Sequence, residues 1–134
     1  MVGGGFGAAG AKCAADMDSY IALGQDSTRG MQFEGGWTAA WWRRNATAVP
    51  QNTLAAFMIA RGPSAVIVLP PYDATMLRFP FSWEGVTDVN ADPGVPTATA
   101  KKVGSGATAS YSRSYTKAEV TLDCATMKST ITFK

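Results

Sequence analysis

The segment that most limits what this chain can fold into is Ser64-Ala-Val-Ile-Val-Leu69, a continuous apolar and β-branched run. Gly62-Pro63 precedes it and Pro70-Pro71 follows it. A short run bounded in this way suits a strand buried on both faces, and such strands belong to parallel sheets. A parallel neighbour requires a crossover connection. The preceding residues supply one. Residues 29–36 read as a strand that breaks at Gly35-Gly36, and Trp37 to Arg44 has the spacing of a helical segment. Val49-Pro50 interrupts that segment. Asn52 then serves as the expected N-cap of a helix from Thr53 to Arg61, whose Leu54, Phe57, Met58 and Ile59 give it one buried face. Strand, helical segment, helix and buried strand over residues 29–69 predict a βαβ-type unit with a right-handed connection.

The flanks differ in character. Residues 1–12 are rich in Gly and Ala and read as a flexible lead-in. Residues 13–25 read as a short helix, with Asp16, Met17, Tyr20 and Ile21 near helical spacing and Leu23-Gly24 as its stop. After residue 75 the pattern turns to β. Leu77, Phe79, Phe81 and Trp83 share parity, although Pro80 restricts that run to an edge or irregular strand. Residues 86–98 read as a loop, and Lys101 to Ala107 as a small polar stretch with a turn at Gly104-Ser-Gly106. Ser110 to Thr116, Ala118 to Asp123 and Thr126 to Phe133 read as three strands of an antiparallel meander or small sandwich. The expected fold class is therefore α/β followed by all-β. The divisions are a lead-in (1–12), a βα-type segment (13–75) and a β-rich segment (76–134), together forming one compact unit of the size that 134 residues allow.

Composition removes several functions. The chain contains no histidine, which excludes a histidine-based triad, a histidine general base and a histidine metal ligand. Two cysteines do not make a four-ligand zinc site, and no metal or cofactor is expected. Twelve basic against ten acidic residues give a net charge of +2, with no electrostatic footprint for nucleic acid. No window approaches the roughly 18 consecutive apolar residues of a membrane span. The first ten residues lack the basic start and apolar run of a secretory signal.

Two stretches carry a family resemblance. Asn52-Thr-Leu-Ala-Ala-Phe-Met-Ile-Ala-Arg-Gly-Pro-Ser-Ala65 and Tyr111-Ser-Arg-Ser-Tyr-Thr-Lys-Ala-Glu-Val-Thr-Leu-Asp-Cys124 resemble the C-terminal part of glycoside-hydrolase-like proteins with a (β/α)8 barrel and a terminal β-rich domain. The former is similar to the last barrel helix leading into its strand. The latter is similar to the arginine-bearing strand of the terminal domain and the strand after it. The resemblance implies a carbohydrate-active domain that binds or hydrolyses glycans. A whole barrel takes about 250 residues, so this chain would hold about the last two βα units plus the terminal sheet. That predicts a fragment, a unit completed by a copy or another subunit, or a repurposed relic of such a barrel.

Glycoside hydrolysis uses two carboxyl groups facing the scissile bond, and in a barrel these belong at the carboxyl ends of strands. Glu34 and Asp73 occupy such places in the predicted order. Trp37 and Tyr72 lie beside them as candidates for stacking on a sugar ring, and Arg29 and Arg78 as candidates for holding substrate. The competing reading gives Glu34 and Asp73 turn and cap roles, which leaves open whether the chain is an enzyme. With no histidine, carboxylates are the acid–base groups left for any catalysis near neutral pH.

Four further features complete the reading. Trp41, Trp42 and Arg43 form a candidate interface, since Trp and Arg dominate binding hot spots; the alternative is core tryptophans with solvated arginines. This patch, low charge and many small residues support a second function: a non-catalytic structural or interaction subunit that self-associates or meets a protein partner. Asn45-Ala-Thr47 fits the N-glycosylation pattern and weighs slightly towards a secreted or lumenal site. Gly5-Phe-Gly7-Ala-Ala-Gly10 matches the dinucleotide fingerprint in form alone, because Met1-Val2 cannot supply the strand that must precede it. Cys13 and Cys124 either pair, tying the first helix to the terminal sheet, or remain two buried thiols.

Overall fold

The computed structural model describes residues 9–25, 31–34, 48–49, 51–62, 65–68, 82–83 and 92–134. In chain order these form helix α1 (Ala11–Gln25), strands β1 (Met31–Glu34) and β2 (Ala48–Val49), helix α2 (Gln51–Ala60), strands β3 (Ala65–Val68), β4 (Ser82–Trp83) and β5 (Lys101–Val103), a 3-10 turn (Gly106–Thr108), and strands β6 (Ser110–Ser114), β7 (Ala118–Asp123) and β8 (Lys128–Phe133). The architecture is α/β with a small open antiparallel sheet.

β5 to β8 form that sheet in sequential order, each strand antiparallel to the next. Alternation sorts its residues into two faces. Tyr111, Leu122 and Ser129 align across three strands, as do Arg113, Val120 and Ile131, and Ala118 pairs with Phe133. This face meets the helices, and Tyr111, Tyr115, Ala118, Val120 and Leu122 are buried in it. The opposite face carries Ser110, Asp123 and Lys128 in one row, Ser112, Thr121 and Thr130 in the next, and Ser114, Glu119 and Thr132 in the third. One face packed and one wetted is the usual solution for an antiparallel sheet.

α1 buries Cys13, Ala14, Met17, Tyr20 and Gly24, a stripe that recurs at helical spacing. It begins two residues earlier than the sequence pattern indicates, within the expected lead-in. α2 corrects the expectation of a single buried face. Every residue from Thr53 to Ala60 is buried, including Ala55, Ala56 and Ala60. A helix apolar on all sides is a core helix, and α2 lies between α1 and β6, β7 and β8. Asn52 also departs from its expected capping role. It sits inside the helix, where Nδ2 donates to the Met127 carbonyl at 2.8 Å and Oδ1 accepts from Ser129 Oγ. Gln51 Nε2 donates to the Ser129 carbonyl at 2.6 Å. The polar start of α2 is thus used to grip the β7–β8 hairpin.

The helices cross where glycine permits it. A Cβ on Gly24 would overlap the carbonyl oxygen of Ala60, and one on Gly62 would overlap the carbonyl oxygen of Gly24. Both obstacles are backbone atoms, so a side chain at either position would push the ends of α1 and α2 apart.

β5 departs from the expected polar stretch. Lys101-Lys-Val103 is exposed at each position, so it carries no burial pattern, yet it pairs with Ser110 to Ser112. The expected loop over 86–98 is irregular in its described part, from residue 92, but it is anchored. Thr97 donates its backbone N–H to Ser114, Thr116 to Val95 and Lys117 to Pro93, which lays residues 93–97 beside the β6–β7 turn.

Cys13 and Cys124 form a disulfide. Next to it, the Gly10 N–H donates to the Cys124 carbonyl and the Cys124 N–H donates to the Ala109 carbonyl. The start of α1, the end of β7 and the residue before β6 therefore meet at one covalent node. No helix among the described residues is long and apolar enough to cross a membrane.

Candidate functional site

Among the described residues, three places bring chemistry-bearing residues into defined positions. The first is the β1–β3 pair. These strands are parallel neighbours in the register Met31 to Ala65, Gln32 to Val66, Phe33 to Ile67 and Glu34 to Val68. Both strands therefore end on one rim, with Glu34 level with Val68. β2 and β4 form another parallel pair, Ala48 with Ser82 and Val49 with Trp83. Parallel pairing follows from the connections, since α2 lies between β1 and β3 in the chain. Of the residues singled out for carbohydrate chemistry, Glu34 is the one the described backbone positions. Arg29, Trp37, Tyr72, Asp73 and Arg78 lie outside the described residues, as do Trp41, Trp42 and Arg43 of the candidate interface.

The second place is the C-terminal end of α2. The last carbonyls of a helix have no partner within it. Here β6 and the residue after it supply the donors. Arg113 Nη1 donates to the Ile59 carbonyl at 3.1 Å, to that of Met58 at 3.4 Å and, in a short contact, to that of Arg61. Its Nε donates to the Ala98 carbonyl at 3.0 Å, which secures the strap before β5. The Tyr115 hydroxyl donates to the Met58 carbonyl at 2.7 Å. A cation at this end also opposes the partial negative charge of the helix terminus. Burial pushes the Arg113 pKa down, and the neighbouring Arg61 charge acts in the same direction. The Arg61 and Arg113 guanidinium carbons lie 5.6 and 5.9 Å from the centre of the Tyr115 ring, within cation–π range.

The third, a related cluster, joins α1 to the sheet. The Tyr111 hydroxyl lies 2.8 Å from Asp18 Oδ1 and 3.1 Å from the Ala14 carbonyl. Lys102 Nζ donates to Asp18 Oδ2 at 2.8 Å. The Lys102 hydrogen bond holds the Asp18 carboxyl below its usual pKa against a smaller opposing effect of burial, and the Tyr111 hydroxyl adds to the lowering. Tyr111 is pushed the other way, mainly by burial and then by the bond to Asp18. Chemically this is a structural clamp, because each carboxylate oxygen already accepts from a donor.

The expectations drawn from sequence assign Arg113, Tyr115, Tyr111 and Asp18 no role in the site. The available signal is the alternation Tyr111, Arg113, Tyr115, which places an arginine on the same face as two buried aromatics. A cation at such a position must find acceptors, and the free carbonyls of a helix end are the acceptors that a packed helix brings. A scan against protein-family models and a search of curated proteins return no match to the chain.

Proposed function

We propose that the chain is a carbohydrate-active domain, a partial βα-barrel-like unit with a β-rich appendix, that binds or hydrolyses glycans at the carboxyl ends of its parallel strands. The observation carrying this reading is the register of β1 and β3. Adjacent parallel strands lie about 4.8 Å apart, and Glu34 closes β1 level with Val68 at the end of β3. Asp73 follows Val68 by five residues in the sequence, so the strand order favours delivery of both carboxylates to one rim. In this reading Glu34 and Asp73 flank the glycosidic bond, Trp37 and Tyr72 stack on sugar faces, and Arg29 and Arg78 hold substrate. The separation of the two carboxyl groups would then set the stereochemical outcome, with about 5–5.5 Å for retention and about 6.5–9.5 Å for inversion.

The test pairs binding with turnover. Wild-type protein, Glu34→Gln and Asp73→Asn are titrated calorimetrically with a panel of neutral and acidic oligosaccharides, and reducing-sugar release is followed in parallel. The expected result is saturable binding by the wild type, with any hydrolysis abolished in both variants and the fold retained by circular dichroism. Wild-type hydrolysis that survives both changes removes the carboxylate assignment, and no binding across the panel removes the carbohydrate reading.

One observation favours an alternative reading, in which the chain is a non-catalytic subunit of an assembly. Among the described residues no further strand pairs with β5 or β8 at the two edges of the four-stranded sheet, and sheet edges are templates for pairing with another chain. Trp41, Trp42 and Arg43 are the candidate contact residues. Size-exclusion chromatography with light scattering decides it: self-association supports an assembly, and a stable monomer at high concentration counts against one.

A further inference from the structure

The crossing of the two helix ends leaves a cavity of about 160 Å³, more than ten times the roughly 10–15 Å³ that one water molecule needs. Its walls include Gly24 and Gln25 from α1, Arg61 and Gly62 from the end of α2, Thr99 from the strap before β5, and Arg113 from β6. Among the described residues, no acidic side chain lines it.

Among the described residues, no carboxylate compensates the charge of this cavity. Arg113 directs Nη1 and Nε to carbonyl oxygens, while its Nη2 has no partner among the described residues. The Arg61 guanidinium has neither a hydrogen-bond acceptor nor a carboxylate among the described residues, where its contact is the Tyr115 ring. Two helix C-termini meet here and bring partial negative charge, about half an elementary charge each. Among the described residues, two guanidiniums outweigh that by about one positive charge. Two arginines without a carboxylate partner among the described residues thus line one cavity with room for a polyatomic group.

We propose that this cavity binds a small oxyanion, the carboxylate of an acidic sugar or a sulfate or phosphate group, with Arg61 as the principal ligand and Arg113 Nη2 as the other donor. Arg113 is held by the α2 carbonyls and is therefore already oriented. Arg61 supplies the planar fork that matches a carboxylate or phosphate edge. Thr99 and Gln25 add neutral polar groups at the wall. None of the residues that line it belongs to β1 or β3, so the proposal does not depend on that rim.

Arg61→Gln is the informative variant, because the Arg61 side chain makes no hydrogen bond among the described residues whose loss would loosen the fold. The full chain is titrated, at constant ionic strength set with chloride, with sodium sulfate, inorganic phosphate, glucuronate and glucose, and amide shifts are followed by two-dimensional NMR. The expected result is saturable shifts centred on Gly24, Gly62 and Thr99 with at least one anionic probe and none with glucose. Arg61→Gln weakens that binding at least tenfold with the fold retained by circular dichroism, and Arg61→Lys restores part of it. Saturation by glucuronate alone identifies a carboxylate site, and saturation by sulfate or phosphate identifies an ester site. No saturable, localised shift with any of the three anions, or equal binding by Arg61→Gln, overturns the proposal. Loss of glycan binding in Glu34→Gln or Asp73→Asn would leave these shifts intact.

Discussion

At the scale of single residues, several of the described charges complete hydrogen-bonding sets. Asp18 shows how pH reports this. Its pKa in the fold lies below its unfolded value, so the ionised carboxylate adds stability above about pH 3.9, and that contribution is lost as pH falls through the lowered value. Its pairing with Lys102 is half-exposed, which keeps the contribution below about 1 kcal/mol. Asp18→Asn is therefore expected to flatten the acid limb of the stability curve, between about pH 5 and about pH 2, by roughly that amount in urea titrations; an unchanged limb would show that the clamp is inert. The tyrosines act at the other end of the scale. Tyr20, Tyr111 and Tyr115 all have raised pKa values, chiefly through burial. Stability is complete below their unfolded value of about 10 and declines as pH rises through the raised values. Spectrophotometric titration should show phenolate appearing above about pH 10 together with unfolding. Arg113 marks the limit of what residue types disclose. Its parity with Tyr111 and Tyr115 is visible in the sequence, but its acceptors belong to a helix more than fifty positions away, and no local pattern names them.

At the scale of elements, the strongest signals come from apolar runs. The run at 64–69 and the apolar stretch after Asn52 yield β3 and α2 nearly at their observed limits. β5 gives no signal because an exposed Lys-Lys-Val edge has neither alternation nor β-branched bulk on one face. The single-face expectation for α2 fails for a related reason, since alanines read as neutral in a periodic pattern although here they are among the most deeply buried positions. The helix crossing makes a sharp prediction. Gly24→Ala places a methyl group against the Ala60 carbonyl, and overpacking of this kind costs about 1–3 kcal/mol or more. Ser19→Ala, on the exposed side of α1, should change stability by no more than about 0.5 kcal/mol. Guanidinium denaturation of the pair measures the contrast, and equal midpoints would mean that the crossing is loose. Truncating Asn52 to Ala removes both of its bonds to the β7–β8 hairpin and should cost about 1–3 kcal/mol by the same measurement.

At the scale of the whole molecule, the disulfide is the widest covalent constraint. It spans 111 positions, and closing so long a loop removes enough unfolded-state entropy to be worth roughly 3–5 kcal/mol. Cys13→Ala paired with Cys124→Ala, or reduction of the native protein, should lower the denaturation midpoint accordingly, and an unchanged midpoint would place the stability elsewhere. From sequence the two cysteines read equally as partners or as separate thiols, because pairing depends on a geometry set by every element between them. Those long spans also bear on synthesis. Tyr111 reaches back 97 positions to Ala14, and Ser129 reaches back 77 to Asn52. On a ribosome adding about 5–20 residues per second, α1 emerges roughly 5–20 s before Tyr111, whose hydroxyl meets the Ala14 carbonyl and the Asp18 carboxylate. During that interval the α1–α2 pair lacks its sheet, and the β7–β8 hairpin then brings the Met127 carbonyl and the Ser129 hydroxyl to Asn52.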